Sequence, residues 1–203
     1  MAKDISKFYL GKFDKKSKSY DLKNTALLVI DLQEKLLPQI DESKKLINNT
    51  QAALKVANLY NMKTLATEQY SHGLGRTVDP ILEFLNQKDI FEKTAFNAYI
   101  KDVRSFLKEN EIENVIVTGA EAHICVYQTV RSLLKDGYKV FIVKDAISAY
   151  DNEKKEEAIK LMEKMGAISI LTEMFIYDLL GDSKSENFKE VTAIIKELRK
   201  DNK

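Results

Sequence analysis

One cysteine, two prolines, two histidines and no tryptophan in 203 residues exclude several kinds of protein at once. A lone thiol cannot close an internal disulfide, so a disulfide-stapled secreted scaffold is ruled out. The histidines, His72 and His123, stand far apart and lack the spacing of zinc-binding runs, so no metal is expected. Seven glycines and two prolines are too few for a collagenous or low-complexity chain. No apolar run approaches the ~20 residues needed to cross a bilayer. The start, Met1 to Lys7, lacks the apolar stretch of a secretory signal. Nor does either sign of charge dominate. Lys plus Arg number 32 and Asp plus Glu 31, a formal net charge of +1 that gives no footprint for nucleic acid or a membrane surface. The groups Lys15-Lys16-Ser17-Lys18 and Arg199-Lys200 read as solvated ends. These absences together describe a cytoplasmic chain.

What is present is a globular composition, 44% hydrophobic and 31% charged, long enough to bury one sizeable core. Apolar β-type runs alternate with helical patterns. Ala26-Leu27-Leu28-Val29-Ile30 predicts a strand buried on both faces and ending at Asp31. Asp41 is the expected cap of a helix with Leu46, Ile47, Ala53, Leu54 and Ala57 inward. Strands are expected at Lys63 to Glu68, Ile90 to Lys93, Val115 to Thr118, Lys139 to Lys144 and Ile168 to Leu171. Helices are expected at Val78 to Leu85, Ala98 to Glu109, Ile124 to Lys135, after Asp151, and around Phe188 to Leu198. The helix after Asp151 is expected to turn Ala158, Leu161, Met162 and Met165 inward. This alternation implies an α/β fold, a mostly parallel sheet of about six strands between two layers of helices.

In such sheets the ligand crevice lies beyond the carboxyl ends of the strands. Asp31, Lys93 and Cys125 all sit at or just after such ends. Cys125 follows the strand and small-residue turn Val115 to His123, where a helix should begin. A helix N-terminus favours the thiolate, the nucleophilic form. Asp31 is a candidate general base for that thiol, and Lys93 a cation that favours the thiolate and orients Asp31. Plainer readings stand beside each: Asp31 as a turn residue, Lys93 as a snorkelling surface lysine, Cys125 as a small apolar filler. Backbone N–H groups from Glu121 to Cys125 are positioned to face a reacting carbonyl oxygen. The run Gly73-Leu74-Gly75 has Val78 where a dinucleotide-binding loop requires a third glycine, so no NAD or FAD is expected, and no P-loop pattern exists.

The blocks Leu28 to Gln33, Glu92 to Phe96 and Val117 to Val126, in this order and spacing, resemble the isochorismatase-like cysteine hydrolases. That superfamily includes nicotinamidase and N-carbamoylsarcosine amidohydrolase. The loop Glu68-Gln69-Tyr70…Gly73-Leu74-Gly75 resembles the branch of isochorismatase-domain-containing proteins. The resemblance begins at about Asn24. It sets residues 1–24 apart as an N-terminal extension and makes 25–203 the hydrolase domain. It implies a Rossmann-like three-layer α/β/α fold, an Asp31–Lys93–Cys125 triad, a thioester intermediate and a cis peptide at Ala120–Glu121. It places the oxyanion hole at the Glu121 and Cys125 N–H groups, and it implies a homo-oligomer. The loop Thr67 to Gly75 has no Asp-x-His pair, which sets the chain apart from the metal-containing nicotinamidases; His72 is expected to be an exposed loop residue. Gln69, Tyr70, Phe96 and Glu121 are candidate substrate contacts, while His123 either supports the turn or lines the pocket. The leading expectation is a metal-independent cysteine hydrolase of a small amide or related C–N substrate, without cofactor. The alternatives are a scaffold that kept the fold and lost efficient catalysis, and a peroxide- or disulfide-reacting thiol enzyme.

Overall fold

Six consecutive buried residues, Thr25–Ile30, form β1, as a strand covered on both faces requires. β2 (Lys63–Gln69) and β4 (Asn114–Ala120) flank it in parallel, so that Leu28 pairs with Leu65 on one side and Val117 on the other. With β3 (Ile90–Lys93), β5 (Lys139–Ser148) and β6 (Ile168–Ile170) the sheet has the order β3-β2-β1-β4-β5-β6, every pair parallel. The computed structural model describes residues 22–203. The Met1 to Lys7 start, the Lys15 to Lys18 group and most of the 1–24 extension lie outside them.

Eight helices are described: α1 (Ser43–Leu59), the one-turn α2 (Ser71–Leu74) and α3 (Asp79–Leu82), α4 (Lys101–Glu109), α5 (Tyr127–Lys135), α6 (Asn152–Lys164), α7 (Thr172–Leu180) and α8 (Phe188–Asp201). Leu54 of α1, Phe175 of α7 and Val191 of α8 pack with Leu27, Val29 and Phe141 on one face of the sheet. Leu107 of α4, Val130 of α5 and Met162 of α6 pack with Leu28, Val117 and Ile142 on the other. Each such side chain contributes about 1.5–3 kcal/mol by leaving water. Because crossovers between parallel strands must pass over a sheet face, this burial builds the three-layer α/β/α architecture.

Several local expectations are corrected. Asp41 does not cap α1: its carboxylate accepts the Glu42 N–H at 3.0 Å, and the helix is entered through Glu42 at φ 49°. Leu161 of α6 is exposed rather than inward. α7 falls where no helix is expected: Thr172, Phe175, Ile176, Leu179 and Leu180 form its buried face at helical spacing, but the exposed side carries the apolar Met174 and Tyr177, which blur the pattern. Its first N–H, from Thr172, is taken by Asp145 at 2.8 Å. β5 continues past Lys144 after a register shift against β4 between Val117 and Gly119.

At that shift Gly119 has φ 126°, and a Cβ on it would run into the Ile30 backbone. The close approach holds the end of β4 beside the end of β1. Gly119→Ala is therefore expected to cost about 3 kcal/mol or more, from strain and overpacking together. A lowered midpoint of urea unfolding would register it; an unchanged midpoint would refute the argument.

The strand order reverses between β1 and β4. Ligand crevices in open α/β sheets open at such a reversal, beyond the carboxyl ends of the strands. Asp31 and the segment carrying Cys125 emerge there from neighbouring strands, two and three places along the sheet from Lys93 at the end of β3.

Candidate active site

Asp31 leaves β1 at φ 55°, a left-handed conformation that Asp tolerates better than most residues. Its backbone N–H donates to Thr67 O at 3.1 Å, and its side chain is fully buried. Thr67 Oγ1 donates to Oδ1 at 2.8 Å and Lys93 Nζ to Oδ2 at 2.7 Å. Both oxygens act as acceptors, the pattern of an ionised carboxylate. Burial lifts this carboxyl above its ordinary value of 3.8, while the Lys93 charge and the Lys93 and Thr67 hydrogen bonds pull it down.

Lys93 is also fully buried along its side chain. Its Nζ meets Gln69 Oε1 at 2.7 Å, the carbonyls of Ala95 and Phe96 at 3.2 and 3.3 Å, and Cys125 Sγ at 3.8 Å. A lysine so surrounded is not a snorkelling surface residue; it is the counter-charge without which buried Asp31 would be prohibitive.

Cys125 lies in a π-type turn, Ala122–Val126, between β4 and α5. The Ala120–Glu121 peptide before that turn is cis. Thr129 Oγ1 donates to Cys125 O at 2.6 Å and accepts the Ala98 N–H at 2.8 Å, tying the loop after β3 to the turn. The sulfur hydrogen-bonds with the Asp31 carboxylate and receives the Glu121 backbone N–H. Only 6% of the residue is exposed. Burial, and then the negative charge of Asp31, push the thiol up to about 12, against the smaller opposing effect of Lys93. The resting sulfur is therefore a thiol, not the thiolate expected of a helix N-terminus. The turn is buried and faces a carboxylate, and both effects outweigh the helix dipole.

The site thus brings Asp31, Lys93 and Cys125 together. The other candidates divide. Gln69 points its side-chain oxygen at Lys93. Tyr70 and Phe96 are 55% and 56% exposed, and it is the Phe96 carbonyl that reaches Lys93. The Glu121 carboxylate accepts the Tyr150 N–H at 3.0 Å. His72 is exposed. His123 packs near the Tyr150 ring, centroids 5.6 Å apart, and lines a cavity of about 500 Å³ with Tyr127 and residues of α6, apart from the triad. Thr67, Gln33 and Thr129 support the site; Thr67 and Thr129 lie outside the matching blocks, and Gln33, which ends the Leu28 to Gln33 block, carries no expected role there. Only the polarity of Thr67, paired with Ile30 at the end of an apolar strand, points to it. Among the described residues no group of three or more His, Cys, Asp or Glu side chains could hold a metal, and no helix is long and apolar enough to cross a membrane.

Residues 25–174 match the family described as the isochorismatase domain. The chain is 33% identical over 182 residues to "Isochorismatase family protein 1A" of Dictyostelium discoideum, covering 87% of this chain and 88% of that one. It is 39% identical to a solved structure described as the MAR1 ribonuclease of Caenorhabditis elegans, with a TM-score of 0.81 over 86% of this chain and 90% of the other. The YcaC gene product of Escherichia coli, described as an octameric hydrolase of unknown specificity, shares the fold at 22% identity, with a TM-score of 0.78 and coverage of 90% and 89%.

Proposed function

The chain belongs to the isochorismatase family, a hydrolase fold, and from that premise we propose that it is a metal-independent cysteine hydrolase of small amide or related C–N substrates. The observation that carries the reading is the buried juxtaposition of carboxylate, ammonium and thiol: Lys93 Nζ is 2.7 Å from Asp31 and 3.8 Å from Cys125. Asp31 takes the Cys125 proton as sulfur bonds to the substrate carbonyl carbon. The N–H groups of Glu121 and Cys125 hold the resulting oxyanion, each donor of this kind supplying roughly 3 kcal/mol. Collapse breaks the C–N bond, and Asp31 returns its proton to the leaving nitrogen. Water then attacks the thioester with Asp31 as base, and the C–S bond breaks as the proton goes back to sulfur. Lys93 balances the charge throughout. Gln69 aside, Tyr70, Phe96 and Glu121 are offered as rim contacts for the substrate. Residues 1–24 are proposed to lie outside the hydrolase unit 25–203, and the working form to be a homo-oligomer in the cytoplasm.

Two other readings are weaker. A non-catalytic scaffold draws support from the protonated resting thiol, but a general base already in contact with the sulfur removes the need for a standing thiolate. RNA cleavage draws on the name of the nematode relative; against it stand a sulfur with little exposure and a net charge of +1, poor provision for a polyanion. A screen of small amides, ureides and a model RNA, followed by mass spectrometry of the intact protein, separates them. The expected result is amine release with an acyl adduct on Cys125. Hydrolysis undiminished in Cys125→Ala, or RNA cleavage alone, would refute the covalent mechanism.

A further inference from the structure

We propose that Gln69 is a positioning residue rather than a substrate contact: it holds one Lys93 N–H away from the sulfur, so that the ammonium serves Asp31 at rest and Cys125 is left one donor short. The inference rests on the hydrolase reading for its purpose but not for its chemistry. An ammonium has three N–H groups and no acceptor, so its partners can be counted. Asp31 Oδ2 and Gln69 Oε1 each take one, at 2.7 Å. The carbonyls of Ala95 and Phe96 and the sulfur, all at 3.2 Å or beyond, share the third.

The orientation of the Gln69 amide is forced. Lys93 only donates, so it must meet the amide oxygen, while Thr94 O only accepts and meets Nε2 at 2.8 Å. The backbone of Gln69 is clamped as well. Fully buried Gln33 accepts its N–H at 2.7 Å and donates to its carbonyl at 3.0 Å and to that of Gly75 at 2.6 Å. A residue held at two backbone and two side-chain points, with its amide oxygen aimed at the ammonium, has little freedom left to recognise a substrate. The position also requires neutrality. A carboxylate there would put a second anion on Lys93 and oppose any negative charge on sulfur.

The other charged groups around the turn are engaged elsewhere. Glu121 binds the Tyr150 N–H, Glu68 the Thr77 N–H, and Glu92 the Ser71 N–H and hydroxyl. α6 brings Glu153, Lys154 and Glu157 to the cavity beside His123. None of these contacts involves the Gln69 side chain.

Because Cys125 is the only cysteine, its alkylation by iodoacetamide gives a single mass adduct and needs no substrate. Below the thiol's midpoint the rate follows the thiolate fraction times its nucleophilicity, so a midpoint raised by one unit cuts the fraction tenfold but slows alkylation only about threefold, a more basic thiolate being the better nucleophile. Gln69→Met frees an N–H for the sulfur and is expected to speed alkylation severalfold between pH 7 and 9, with Gln69→Asn, too short to reach Lys93, moving the same way. Gln69→Glu keeps the shape but adds charge within reach of Lys93 and is expected to slow alkylation about threefold or more. Opposite displacements of the pH–rate lines support the proposal. Lines that coincide with wild type, or that all move in one direction as in a merely loosened site, overturn it. Either result leaves the acyl-adduct test standing on its own, and Gln69→Met and Gln69→Asn stand in for one another, so that either one read against Gln69→Glu decides.

Discussion

Replacing Lys93 by Met is expected to destabilise the fold by about 3–5 kcal/mol, the usual cost of leaving a buried charge without its partner. Asp31 has no exposed side-chain surface, and Lys93 supplies both the nearest opposite charge and a 2.7 Å hydrogen bond. Without it only the Thr67 hydroxyl, the sulfur and the surrounding backbone dipoles remain, and the carboxyl, already lifted by burial, rises further. The sign of the pH dependence follows. A carboxyl whose folded value lies above its unfolded value of 3.8 stabilises the protein fully below that value, and the contribution is lost as pH rises through the folded value. The deficit of the Lys93→Met variant relative to wild type should thus be small below pH 3.8 and grow toward neutrality. Urea melts of both proteins across that range would measure it. Adding Asp31→Asn removes the stranded charge, so the double variant should be more stable than Lys93→Met alone at neutral pH. If the deficit did not vary with pH, the cost would come from lost packing and not from charge.

How much the sequence reveals depends on the element. β1 is plain, because five apolar residues ending in a carboxylate have few other uses, and the order of strands and helices implies the layers. α7 is silent for the opposite reason: its exposed side carries Met174 and Tyr177, so apolar residues lie on both faces and the buried stripe does not stand out. Asp41 has the residue type and place of a cap, but its side chain turns to the adjacent N–H instead. In the site, Asp31, Lys93 and Cys125 are legible as strand-end residues, while their support is not. Thr67, Gln33 and Thr129 act through hydrogen bonds set by register across β2 and by the packing of α5, and no spacing along the chain encodes those contacts. The protonation of the sulfur escapes the sequence for a related reason. The helix dipole can be inferred locally, whereas the Asp31 charge reaches Cys125 only through the fold.

Cys125→Ala is expected to abolish detectable hydrolysis while the protein still unfolds cooperatively near the wild-type temperature. The sulfur fills little volume, and its removal strands no charge, since Lys93 keeps Asp31, Gln69 and two carbonyls. Asp31→Asn should lower kcat by about 10²–10⁴, the range for losing a positioned general base. Because base and nucleophile work on one proton, the double variant should be no worse than Cys125→Ala alone. The pH profile carries a further signature. Activity should rise as Asp31 ionises, at a value above 3.8, and no alkaline limb should arise from the thiol near neutrality, since burial and Asp31 hold it up to about 12. A profile that instead rose with a midpoint near 8.5, the value of an ordinary cysteine, would mean that the free thiolate attacks unaided. Asp31 would then be a structural partner of Lys93, and Asp31→Asn should leave kcat close to wild type at about pH 9, where such a thiolate is already formed.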